Sequence, residues 1–228
     1  MQVGERSWKL SELIPKTDEI RDLIRAGQSE SARQLMQDRS TEEQAVLVAL
    51  SEDPEEMLSL TGPGGGYSQQ VVNLLPSEVL TNLIVPDTDY LRYNIELIKA
   101  LSPTKFQGLI SETLDPMDYQ DDRRQVSWEW LEVLAELDDV DKRGELLRAV
   151  EIQVLAEALR DVVHLFRFDD ILHFRRLTDT RQPYYLFERP GDYLEDLKVA
   201  AVLDALHDAA PEVVAEMISD AWKDLETE

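Results

Sequence analysis

Apolar residues recur at helical spacing along most of this chain. Ile20, Leu23 and Ile24 form one stripe that ends near Gly27, a residue suited to the left-handed turn that closes a helix. Ala32, Leu35 and Met36 form the next. Ser40-Thr41-Glu42-Glu43 reads as a capping box, in which the serine hydroxyl accepts from the third amide and the glutamate reaches back. The apolar run Ala45 to Leu50 follows it. Asp53-Pro54-Glu55-Glu56 repeats that start, with Pro54 at the first helical position, where a missing N–H costs nothing. The pattern predicts further helices over 68–75, 77–85 and 88–101, the last with Tyr90, Leu91, Ile95 and Ile98 on one side. Ser102-Pro103 opens another, whose Phe106, Leu109 and Ile110 take the places of Leu80, Leu83 and Ile84. Asp115-Pro116-Met117-Asp118 ends it.

Val126, Trp130, Val133, Leu134 and Leu137 lie at i, i+4, i+7, i+8 and i+11, which predicts an amphipathic helix with Trp128 off its apolar face. One long helix is expected over 142–163, with Gly144 in its first turn. The pattern then changes. His164-Leu165-Phe166-Arg167-Phe168 and Tyr184-Tyr185-Leu186-Phe187 alternate in part, as a short hairpin or an extended excursion would. Asp192-Tyr193-Leu194-Glu195 caps a helix through Leu206. Pro211 opens the last helix, with Val214, Met217, Ile218, Ala221, Trp222 and Leu225 inward.

One element repeats: a leucine, a Ser/Pro or Asp/Pro helix start, then a small apolar helix. It occurs at Leu50, Leu75 and Leu101, 25 and 26 residues apart, which suits two short helices with their turns. The fold class expected is therefore all-α, stacked helical hairpins of α-solenoid type, with at most one short β-hairpin near 164–188. Three stretches follow: N-terminal hairpins over 1–66, a repeat core over 67–163, and an aromatic and arginine-rich segment with a helical pair over 164–228. They read as one continuous domain. Thr61-Gly62-Pro63-Gly64-Gly65-Gly66 holds four of the nine glycines. A phosphate-binding loop would need a following Gly-Lys-Ser/Thr and a preceding strand; neither is present, so a linker between hairpins is expected.

Composition narrows the function classes. Forty-seven acidic residues against 23 basic ones give a formal charge of −24, a surface that repels nucleic-acid phosphates and anionic lipid headgroups. The same acidity serves solubility, or attracts basic proteins or divalent cations. With no cysteine, disulfides, thiol catalysis, zinc–thiolate sites and iron–sulfur clusters are excluded. Met1 to Trp8 carries no apolar secretory core, and no apolar run approaches the roughly 20 residues of a membrane span. A cytoplasmic location without membrane insertion is the expectation.

Candidate chemistry is sparse. Asp115, Asp118, Asp121 and Asp122 crowd one turn, Asp138, Asp139 and Asp141 the next, and Asp169 and Asp170 a third. Each could collect Mg²⁺ or Ca²⁺ through oxygen ligands, yet aspartate is also a favoured helix cap. His164 and His173 lie nine residues apart, unlike a helical zinc pair, and His207 sits beside Asp204 and Asp208. Between 160 and 189 six arginines offset the local acids and mix with aromatics. Arg167, Arg175, Arg176, Phe174, Tyr184 and Tyr185, together with Trp128, have the composition of a protein-binding surface. They equally suit internal salt bridges to the acidic repeats.

Leu101-Ser102-Pro103 with Phe106-Gln107-Gly108-Leu109-Ile110, Asp115 and the Trp128-Glu129-Trp130-Leu131 helix resembles a family of uncharacterised bacterial helical-repeat proteins, over residues 70 to 228. That resemblance implies a Trp-bearing helix, an aromatic segment and two final helices with an acidic tail. Over residues 40 to 115 the proline-started repeats resemble the N-terminal cytosolic α-solenoid of MgtE-type magnesium transporters, which implies acidic hairpins that take part in magnesium-dependent gating. Neither resemblance supplies a catalytic residue. The leading expectation is a non-enzymatic scaffold that binds another protein, with no cofactor and no nucleic acid. The alternatives are an Mg²⁺-sensing domain and an enzyme with an unfamiliar site around His164, Arg167, Asp170 and His173.

Overall fold

A computed structural model describes residues 2–3, 6–7, 9–84, 94–114, 120–160, 164–167, 185–188 and 193–225. Among them the fold is all-α. In chain order the helices are α1 Leu10–Arg25, α2 Ser29–Gln37, α3 Thr41–Leu50, α4 Pro54–Ser59, α5 Gln69–Leu74, α6 Ser77–Ile84, α7 Ile95–Lys99, α8 Pro103–Leu114, α9 Gln120–Glu136, α10 Val140–Leu147, α11 Ile152–Arg160, α12 Tyr193–Ala209 and α13 Pro211–Leu225. Two antiparallel pairs accompany them. Strands β1 Gln2–Val3 and β2 Arg6–Ser7 pair over two residues each. Strands β3 His164–Arg167 and β4 Tyr185–Glu188 pair in the stretch where the sequence alternates. The N-terminal pair carries too short an alternation to be read from sequence.

Local chemistry explains most helix ends. Gly27 adopts φ 72°, and the N–H groups of Gly27 and Gln28 bond the carbonyls of Ile24 and Leu23, so the last turn of α1 closes through a left-handed glycine. Ser40, Asp53, Ser68, Asn94 and Asp139 each accept from the amide three residues on, at the starts of α3, α4, α5, α7 and α10. Asn94 thus sets the start of α7 at Ile95, later than the 88 expected; residues 88–93 lie outside the described residues. Half of the expected capping box at Ser40 is present: Glu43 Oε1 meets Lys16 at 2.7 Å and Arg39 at 3.4 Å, so its carboxylate ties α3 to α1.

The chain divides into two compact units, residues 1–105 and 106–228. In the first, α1 packs on α2 and α3, α3 on α4 and α5, and α4 on α6. Its core includes Ile20, Met36, Leu47, Leu58, Val72, Leu80 and Ile98, all closed to solvent. The glycine-rich connection after α4 is compact. Gly62 N–H bonds the Gly66 carbonyl at 3.1 Å, and a Cβ at Gly62 would sit 2.3 Å from that oxygen. Gly64 and Gly65 take positive φ. Thr61, buried, donates to Leu58 O and accepts from Ser68 N–H, so the loop is fixed at its root.

The repeated leucines are only partly equivalent. An i→i−3 bond tightens the end of α3, α5 and α7 alike: Ser51 to Val48, Leu75 to Val72 and Leu101 to Ile98. The donor in the first copy is Ser51, one residue after Leu50. Accordingly Leu75 and Leu101 are fully buried, whereas Leu50 is half-buried. Two residues, Ser51 and Glu52, separate Leu50 from its cap Asp53, whereas Leu101 directly precedes Ser102.

In the second unit α9 packs on α10, α11 and α12, α11 on α13, α10 on α12, and α12 on α13 and β4. This corrects two expectations. First, α9 is not buried along one stripe alone: Ser127, Trp128 and Leu131 are as enclosed as Trp130, Val133 and Leu134, because three helices surround it. Second, the long helix over 142–163 is two helices, broken at Arg148–Glu151. Ala149 and Val150 N–H groups bond Leu146 and Leu147 carbonyls in a tight turn, and Glu151 accepts the first bonds of α11. No glycine or proline marks this break. Packing imposes it, since α10 is held against α12 while α11 lies against both α9 and α13.

Candidate functional site

The most elaborated polar arrangement in the second unit lies where α10 meets the end of α12. Arg143, 8% exposed, donates from Nη1 to Ala205 O at 2.7 Å and from Nη2 to Leu137 O. These carbonyls belong to α12, five residues from its end counting Ala209, and to the residue that follows α9. Carbonyls near helix C-termini carry partial negative charge, so both acceptors suit a buried guanidinium. Next to it Gly144 lets the backbones close: a Cβ there would lie 2.5 Å from Ala209 O. Arg148, one turn on, donates to Ala209 O at 3.3 Å and to Glu212 Oε1 at 2.7 Å. Glu212, in the first turn of α13, has its carboxyl held below the ordinary glutamate range, first by backbone amides and then by Arg148. The constellation joins helices: Arg143 Nη1 and Nη2, Arg148 and Glu212 are all engaged across it, and Arg143 Nε is buried without a partner among the described residues. The sequence reading missed it, although a glycine inside a helix was the available signal for a close approach.

A comparable knot sits in the first unit. Asn73 on α5 donates to Gln69 O at 2.7 Å and to Ala100 O at 3.1 Å, and accepts from Ser102 N–H at 2.7 Å. One amide thereby serves both orphan backbone groups of the α7–α8 turn. Nearby, Asn94 donates to Tyr67 Oη at 3.0 Å and Glu55 Oε1 at 3.3 Å.

The expected metal-ligating aspartates separate into different roles. Asp139 Oδ1 accepts Lys142 N–H at 2.9 Å and caps α10; Asp141 is exposed in the first turn, and Asp138 precedes the cap. Asp121 and Asp122 stand in the first turn of α9 by their backbone. Asp115 and Asp118 lie outside the described residues, as do Asp169 and Asp170. Among the described residues no group of three or more His, Asp or Glu side chains is placed to hold an ion.

Of the proposed protein-binding residues, Arg167 stands opposite Tyr185 in the β3–β4 register. Phe174, Arg175, Arg176 and Tyr184 lie outside the described residues. Trp128 is 7% exposed and its Nε1–H donates to Glu132 at 2.8 Å, so its ring belongs to the interior of the second unit. Trp130 donates to Thr113 at 3.2 Å and meets Phe106 edge-on, ring centres 5.6 Å apart. For the enzyme alternative, His164 pairs with Glu188 in the ladder, and Asp170 and His173 lie outside the described residues. His207 occupies the last turn of α12.

An open depression of about 550 Å³ runs along α1, lined by Pro15, Asp18, Glu19, Asp22 and Leu23. These positions recur at i, i+3, i+4, i+7 and i+8, the side of α1 away from the buried Leu13, Thr17 and Ile20. Asp18 is engaged by Arg21, which also reaches Glu52. No helix among the described residues is long and apolar enough to cross a membrane.

Compared with protein-family models, with curated proteins and with solved structures, the chain matches none. The two resemblances drawn above therefore rest on their quoted motifs alone.

Proposed function

We propose that the chain is a non-enzymatic, cytoplasmic protein-interaction module of α-solenoid type, built to bind another protein. The observation that carries this reading is the packing order. Helices meet their second neighbours in both units: α1 with α3, α3 with α5 and α4 with α6 in one, α9 with α11, α11 with α13 and α10 with α12 in the other. Two rows of helices related in this way are what side-by-side hairpins produce, and such rows offer extended surfaces to partners. The best-formed polar groups support the same reading, because Asn73, Arg143 and Arg148 are spent on joining helices. A charge of −24 favours a partner with a basic surface.

The test is affinity purification of the full chain from its native cell, followed by direct titration of each purified candidate partner at two salt concentrations. The reading expects at least one partner with micromolar or tighter affinity that weakens as salt rises. Failure to recover any such partner, together with measurable turnover of a small molecule by the purified chain, would replace it with the enzyme alternative.

A further inference from the structure

We draw no further inference here: the strongest candidate, the open depression along the exposed side of α1 at Pro15, Asp18, Glu19, Asp22 and Leu23, is an acidic helix face, and nothing in the structure shows what covers it.

Discussion

Two glycines inside helices show how the same residue can be a necessity or a weakness. Gly144 on α10 lies so near the end of α12 that a Cβ would come within 2.5 Å of Ala209 O, a backbone atom that cannot swing aside. Gly108 on α8 is exposed, and a Cβ there would meet nothing within 4 Å. A helical glycine costs about 1 kcal/mol relative to alanine, through backbone entropy and a more exposed main chain. The two alanine variants should therefore move stability in opposite directions. Gly108→Ala should gain up to about 1 kcal/mol. Gly144→Ala should lose roughly 1–3 kcal/mol, since α10 must back away from α12 and loosen the Arg143 contacts. Urea unfolding of both variants beside the parent chain reads the difference. Equal shifts of one sign would show that helix propensity, rather than close approach, governs both positions.

At the scale of elements, turns are held by single side chains that serve more than one backbone group. Replacing Asn73 by alanine would leave the Ala100 carbonyl and the Ser102 N–H without their partner, at a cost of about 2 kcal/mol. Asn73→Asp is the sharper variant. Its carboxylate could still accept from Ser102 N–H but would present negative charge to the carbonyls of Gln69 and Ala100. Thermal melts should rank it no better than alanine; recovery to the parent value would mean that the donor half of the amide contributes little. The Arg148–Glu212 contact should depend on pH. Glu212 has a depressed native pKa, so the stability it confers is whole above the ordinary glutamate range and is lost as pH falls through the lowered value. Glu212→Gln should consequently lower the melting temperature at neutral pH, with the gap to the parent narrowing as acid is added. A gap that stays constant down to pH 3 would show that the ionised carboxylate, held by its backbone amide and by Arg148, is not what the glutamate supplies.

These same elements show what was legible in the chain. The starts at Ser40, Asp53, Ser68 and Pro211 and the end at Gly27 follow from chemistry within three or four residues, so they can be read locally. The break between α10 and α11 could not be read. Its apolar spacing continues through Leu146, Leu147 and Val150, and the interruption follows from packing, α10 against α12 and α11 against α9 and α13. The slip at Leu50 was hidden because the copies share only a leucine ahead of a Ser/Pro or Asp/Pro start, a pattern that stays recognisable when the leucine shifts by a residue or two against the cap. For the candidate site, the cap role of Asp139 was among the readings available from sequence. The joining role of Arg143 depends on carbonyls 6 and 62 residues away, which no local pattern encodes.

For the molecule as a whole, the largest unbalanced quantity is charge. Forty-seven acidic side chains over a chain with 23 basic ones repel one another more when folded than when spread along an open chain, so low salt works against folding. Ion pairs relieve this unevenly. Glu43 is 15% exposed and sits between Lys16 and Arg39, whereas Glu30 and Glu52 are largely exposed at their pairs with Arg33 and Arg21 and contribute little. Added salt shortens the range of the repulsion to about 10 Å at 0.1 M and should raise the melting temperature. For a chain of this length each kcal/mol regained corresponds to roughly 2–4 °C. This separates screening from specific cation binding. If acidic turns such as that at Asp139 act as helix caps, MgCl₂ and NaCl at matched ionic strength should raise the melting temperature equally. A specific site would add stabilisation that grows with the logarithm of Mg²⁺ concentration once it exceeds the dissociation constant. An excess shift with millimolar Mg²⁺ that EDTA abolishes would therefore favour the cation-sensing alternative over the interaction module proposed above.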